Sequence, residues 1–176
     1  MNKQTKNYDL TLGLSARPNA TDVKGALYFD LRTDYDTSSN LFSELRLFYK
    51  SELKATTLKT FKLQVYEIVK GKENVLIAEK EVTKKDKDPS KWITINVTKV
   101  VTKWLHHPTL NHGLYVRAKN ERGKLVAMDR IGLITADPAT SATATKQRPF
   151  VVVLLRTKAN SLLTCLLYTS PSPRDS

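Results

Sequence analysis

Three histidines, His106, His107 and His112, are the whole histidine content of the chain, and all follow one short apolar segment. Imidazoles this close together raise the question of a metal. A zinc centre takes three or four ligands, and no cysteine or carboxylate stands near these three in the sequence. Basic side chains at the end of a helix, facing the negative end of its dipole, account for them without a metal. Asp86 and Asp88 are carboxylates one residue apart, but Lys84, Lys85 and Lys87 surround them, which is the composition of a solvated loop. Cys165 is the single cysteine, so neither an internal disulfide framework nor a multi-cysteine zinc site is possible. With six glycines in all, the chain has no Gly-rich phosphate loop, and GxSxG and HExxH are also missing. The chain therefore reads as a non-enzyme with no catalytic residue, no metal and no cofactor.

Two asparagines carry a different chemistry. Asn19-Ala20-Thr21 and Asn96-Val97-Thr98 are N-glycosylation sequons. Asn19 follows Pro18 in a loop-like setting and is the better acceptor. Asn96 falls where an alternating pattern gives way to a helical one, so its side chain is read first as a helix cap.

Length and charge narrow the class. The chain has 176 residues, of which 40% are hydrophobic, enough for one domain with a core. Lys and Arg number 29 against 17 Asp and Glu, a formal +12 spread along the chain. That spread suits polyanions more than it suits a base-reading helix, which would cluster its basic residues or interleave them with aromatics. No nucleic-acid partner is expected. No apolar run reaches the roughly 18 residues of a membrane span, and MNKQTKNYDL lacks a signal-peptide core. Met1 is thus either a true start or an internal residue of a longer protein.

The elements that must position these residues centre on 92–116. Ile93, Ile95 and Val97 alternate with Thr94 and Asn96, as in a strand. Val97, Val100, Val101, Trp104 and Leu105 then follow at i, i+3, i+4, i+7 and i+8, one face of a helix near 97–106. Pro108 stops the helix, and after Gly113 a second strand sets Leu114, Val116 and Ala118 against Tyr115, Arg117 and Lys119. Trp92 and Trp104 both fall in apolar patterns and are read as core anchors.

Strands are also expected at 26–31, 42–50, 58–69 and 75–82, within 125–134, and at 150–155, where the β-branched run predicts burial on both faces. Tyr8, Leu10, Leu12 and Leu14 support one weak strand near the start, and Asn120–Gly123 a hairpin turn. The fold class is all-β, an antiparallel jelly-roll-type sandwich with one short helix.

These segments resemble the prodomain of transforming growth factor-β superfamily ligands, and bone morphogenetic protein precursors in particular. The resemblance runs through Tyr28-Phe29-Asp30-Leu31, Glu44-Leu45-Arg46-Leu47-Phe48, Gln64-Val65-Tyr66, and Trp92 to Thr98 with Val101, Trp104, Pro108 and His112-Gly113-Leu114. It continues in Gly132-Leu133-Ile134 and in Lys146 to Val152. It covers about residues 25–156, similar to the arm domain of such a prodomain. Asn96 stands where that family usually has Asp. No counterpart of the family's amino-terminal straitjacket helix, no R-x-x-R cleavage site and no cysteine knot is found.

The resemblance implies a secreted, extracellular, non-catalytic folding partner. Its partners would be the mature growth factor dimer of the same precursor and, through the positive charge, sulfated glycosaminoglycans or matrix proteins. Around the LRLF strand and the helix, the chain also looks similar to extracellular jelly-roll carbohydrate-binding or adhesion modules, an alternative that lacks its usual upstream signature here. The expected organisation is a poorly structured segment over 1–24, the sandwich over 25–160 and a disordered tail over 161–176. Within the tail, 165–176 back-translate to a transposase sequencing adapter, so Cys165 is assigned no role.

Overall fold

Alternation of apolar and polar residues builds nearly everything seen. A computed structural model of the chain describes residues 10–15, 17–18, 26–31, 40–50, 60–83, 91–128, 130–134 and 147–156. In chain order these form β1 (Leu10–Ser15), β2 (Arg17–Pro18), β3 (Ala26–Tyr28), β4 (Asn40–Tyr49), β5 (Thr60–Glu67), β6 (Val75–Thr83) and β7 (Lys91–Asn96). Then come α1 (Thr98–His106), a 3-10 turn (Pro108–Leu110), β8 (Leu114–Asn120), β9 (Leu125–Val126) and β10 (Phe150–Arg156).

The strands make two antiparallel sheets. One has the order β1-β10-β4-β7, and the other runs β2-β3-β8-β5-β6 with β9 added beside β8. The all-β antiparallel sandwich is therefore as the sequence predicted, and α1 starts within a residue of its expected position. Leu45, Leu47 and Tyr49 of β4 and Ile93 and Ile95 of β7 meet Phe61, Leu63 and Val65 of β5 and Leu114, Val116 and Ala118 of β8 in one core. Such side chains stabilise by about 1.5–3 kcal/mol each when fully buried.

Two sequence expectations differ in detail. β1 lies ahead of the domain boundary drawn at residue 25 and pairs with β10 over six register positions, Leu10 opposite Leu155 through Ser15 opposite Phe150. The short alternation there works because β10 supplies a long, regular partner. Trp104 is a core residue at 1% exposure, but Trp92 is half-buried and lies outside the core cluster. Its register opposite Phe48 puts it on the outer side of the sheet, with Ile93 facing in.

The segment 131–134 completes β4 where β10 stops. Lys50 N donates to Gly132 O at 2.8 Å and Ile134 N to Phe48 O at 3.1 Å, which seats Ile131 and Leu133 in the core. Gly132 has φ +84, and a Cβ there would lie 2.4 Å from the Lys50 carbonyl oxygen, in contrast to Gly71, φ +73, with nothing within 4 Å. Gly71→Ala should therefore cost about 1–2 kcal/mol for the backbone alone. Gly132→Ala should cost clearly more in urea unfolding, because the β4 edge contact must also shift.

Candidate functional site

The helix start is built from side chains. Val97 holds the N-cap position and its own side chain cannot cap. Asn96, one residue earlier, accepts the Thr98 N–H at Oδ1 (3.0 Å), an Asx turn that satisfies one of the helix's unpaired donors. The capping role read for Asn96 thus appears one position upstream of a standard N-cap. Thr98 Oγ1 accepts the Ser43 N–H at 3.0 Å and donates to Ser43 O at 3.3 Å, so the helix start is tied to β4.

The histidines end the same helix. His106 and His107 are exposed and His112 is half-buried. His106 Nδ1 lies 2.8 Å from Thr102 O, and the His107 N–H closes the helix on Lys103 O at 2.8 Å. Among the described residues no group of three or more His, Cys, Asp or Glu side chains converges on a metal-sized space. Asn19, Asp86, Asp88, Lys84, Lys85, Lys87 and Cys165 lie outside the described residues.

Two outer sheet faces remain, and they are chemically opposite. On the four-stranded sheet, three strands bring Phe48, Trp92 and Phe150 together. Trp92 makes edge-on contacts with Phe48 (centroids 5.0 Å, 66°) and with Phe150 (4.9 Å, 74°). Arg46 lies between them in register, with its guanidinium 5.8 Å from the centre of the Phe150 ring and Nη2 3.3 Å from Glu44 Oε2. Phe42 and Leu154, opposite one another, extend the apolar stripe. The Arg46 Nε is buried without a hydrogen-bond partner, a cost of about 1–3 kcal/mol. Among the described side chains of β4 and β10, this face is apolar apart from the Arg46–Glu44 pair.

The outer face of the second sheet is a polar network. Arg117 Nε donates to Gln64 Oε1 at 2.9 Å and its Nη2 to the Tyr66 hydroxyl, while Tyr66 donates to Gln64 Oε1 at 3.2 Å. Gln64 Nε2 donates to Glu79 Oε2 at 2.8 Å, and Lys62 pairs with Glu79 Oε1 at 3.2 Å. Gln64 is 7% exposed although it points away from the core, because the network covers it. A shallow depression here is lined by Lys62, Lys119, Glu79, Glu81 and Glu121, among others. These charges nearly cancel, so the +12 of the chain does not form a basic patch at this position.

The two faces differ in how legible they were. The polar parity of Gln64, Tyr66 and Arg117 was visible, but their convergence depends on the β5–β8 register, with Gln64 opposite Arg117. The aromatic face needed three strands far apart in sequence. An outward aromatic on each strand is the available signal, and reading Trp92 as a core anchor misses it.

A family model described as TGF-beta propeptide matches residues 19–154. The chain belongs to this family. TGF-beta propeptides are the non-enzymatic prodomains of secreted growth factor precursors, and they associate with the mature growth factor of the same precursor. A comparison with individual curated proteins finds no match. Among the described residues of this propeptide, no helix is long and apolar enough to cross a membrane.

Two outcomes check the placement of these groups. Trp104→Ala should cost about 3–5 kcal/mol in denaturant unfolding, and Trp92→Ala about 1–3 kcal/mol, the worth of two edge-on aromatic pairs. The hydrogen bond from Gln64, followed by that from Lys62, lowers the Glu79 carboxyl below its ordinary value. A lowered pKa gives stability that is complete above the ordinary carboxylate value and is lost as pH falls through the lowered one. A carbon-detected NMR titration should show the Glu79 midpoint below that of an exposed Glu, and Gln64→Ala should move it back up.

Proposed function

We propose that this propeptide assists the folding and dimerisation of its mature growth factor, of the bone morphogenetic protein type, and then holds the dimer non-covalently. The grip is the outer face of the four-stranded sheet. The observation that carries this is the Phe48–Trp92–Phe150 cluster: three large half-buried aromatics on an outward face, with a single paired Arg–Glu beside them. Aromatic and arginine side chains dominate the binding energy of protein interfaces. The opposite sheet face has its polar groups satisfied internally and offers less.

After cleavage the complex is secreted. The net charge of +12 supports retention on sulfated glycosaminoglycans of the matrix, through salt-dependent attraction. Retention on a heparin column should then fall steeply with salt.

The test uses the full precursor read from the flanking transcript and expressed in secreting cells. The cleaved propeptide should co-elute with the mature dimer in gel filtration. Trp92→Glu should release it while the Trp104 near-ultraviolet signal and the cooperative unfolding transition persist. A propeptide that elutes alone in the wild type would contradict the proposal, as would a Trp92→Glu variant that stays bound.

A further inference from the structure

We propose that Asn96 carries an N-linked glycan in the folded propeptide while the same side chain caps α1. This rests on the secretory reading above. The two roles use different atoms. Capping uses Oδ1, which accepts the Thr98 N–H at 3.0 Å. A glycan is bonded to Nδ2, and the amide keeps its carbonyl oxygen. Asn96 is exposed, so the saccharide leaves the surface without displacing the core. Cap and glycan are therefore compatible.

The geometry also sets the order of events. The Thr98 hydroxyl, which completes the sequon, is engaged with the Ser43 backbone in the folded domain. Transfer therefore precedes docking of α1 on β4. In that step Nδ2 bonds to the anomeric carbon of a lipid-linked oligosaccharide donor. The carbon–oxygen bond to the lipid pyrophosphate breaks, the pyrophosphate leaves, and one amide proton passes to a base of the transferase.

The location gives the glycan a purpose. β7 is an edge strand of its sheet. The Val97 N–H bonds to Ser43 O, so Thr94 and Asn96, at alternate positions, direct their backbone groups off the edge. Lys80 reaches over from β6 and donates to Thr94 O at 2.8 Å. Asn96 lies beyond that cover, and an unprotected strand edge invites pairing with another chain. A glycan there shields it. Trp92 is four positions back along the strand on the same outward face, about 13 Å at the usual rise per residue, so the glycan borders the aromatic cluster at its Glu44 end.

The experiment expresses the full precursor in secreting cells with Thr21→Ala added, which silences the Asn19 sequon. The peptide containing Asn96 should carry a glycan, and Asn96→Asp should lose one glycan in gel mobility. Aspartate keeps the accepting oxygen, so Asn96→Asp should melt with the endoglycosidase-trimmed protein, which keeps the Asn96 amide and one sugar, and Asn96→Ala should melt lower. Leu76→Thr supplies a control by creating a sequon at Asn74, exposed in the β5–β6 turn. Glycan on Asn74 but not on Asn96 would overturn the proposal and leave the secretory reading intact. Glycan on neither would overturn both. An Asn96→Asp protein melting as low as Asn96→Ala would remove the shared role.

Discussion

Ser43 is the point on which the sandwich depends. It is fully buried, and its polar groups join β10 to the start of α1. Its Oγ donates to Val152 O on β10 at 3.0 Å, its N–H meets Thr98 Oγ1 at the start of α1, and its carbonyl accepts the Val97 N–H at 2.9 Å. A small hydroxyl residue on the core side of β4 is needed, because a larger side chain would separate the helix from the sheet, and an apolar one would take the Oγ–H away from the buried Val152 carbonyl. β4 is flanked by β10 and β7, so this one position couples both neighbours to the helix that closes the end of the sandwich.

From that junction the two sheets diverge in character. The helix covers the end with Val100, Val101, Trp104 and Leu105, and Lys103 forms an ion pair with the buried Glu67 at the end of β5. The core then has no further use for aromatics at Phe48, Trp92 and Phe150, which stand on the outside. On the other sheet, Gln64, Tyr66, Arg117 and Glu79 bond to one another across three strands. An inward-facing lysine on β6, Lys80 opposite Leu63, reaches the edge of the neighbouring sheet instead of entering the core. Such a charge also discourages edge-to-edge association. A non-enzymatic propeptide is thus left with one outward surface whose chemistry suits a protein partner.

Much of this was legible from periodicity. Leu45, Leu47 and Tyr49, or Leu114, Val116 and Ala118, announce an inward face by alternation alone, and the helix by its spacing. What was not legible depended on register and on distance in the chain. Trp92 looks like a core residue by its size and apolar setting, but the inward Ile93 and Ile95 already set it on the opposite side, where it stands across from Phe48. Ser43 has no local signature, since its partners Val152 and Thr98 are 109 and 55 residues away. Asn96 reads first as a helix cap, and the Asx turn from Thr98 N–H to its Oδ1 shows that the cap leaves Nδ2 unused.

Hydrogen–deuterium exchange on the secreted complex, with and without the mature dimer, tests the docking face most directly. Binding through the aromatic face predicts added protection at Arg46–Phe48, Trp92–Thr94 and Phe150–Leu154, with little change at Gln64–Tyr66 and Arg117. Protection confined to the Gln64–Arg117 face, with Trp92 and Phe150 exchanging as in the free propeptide, would contradict it.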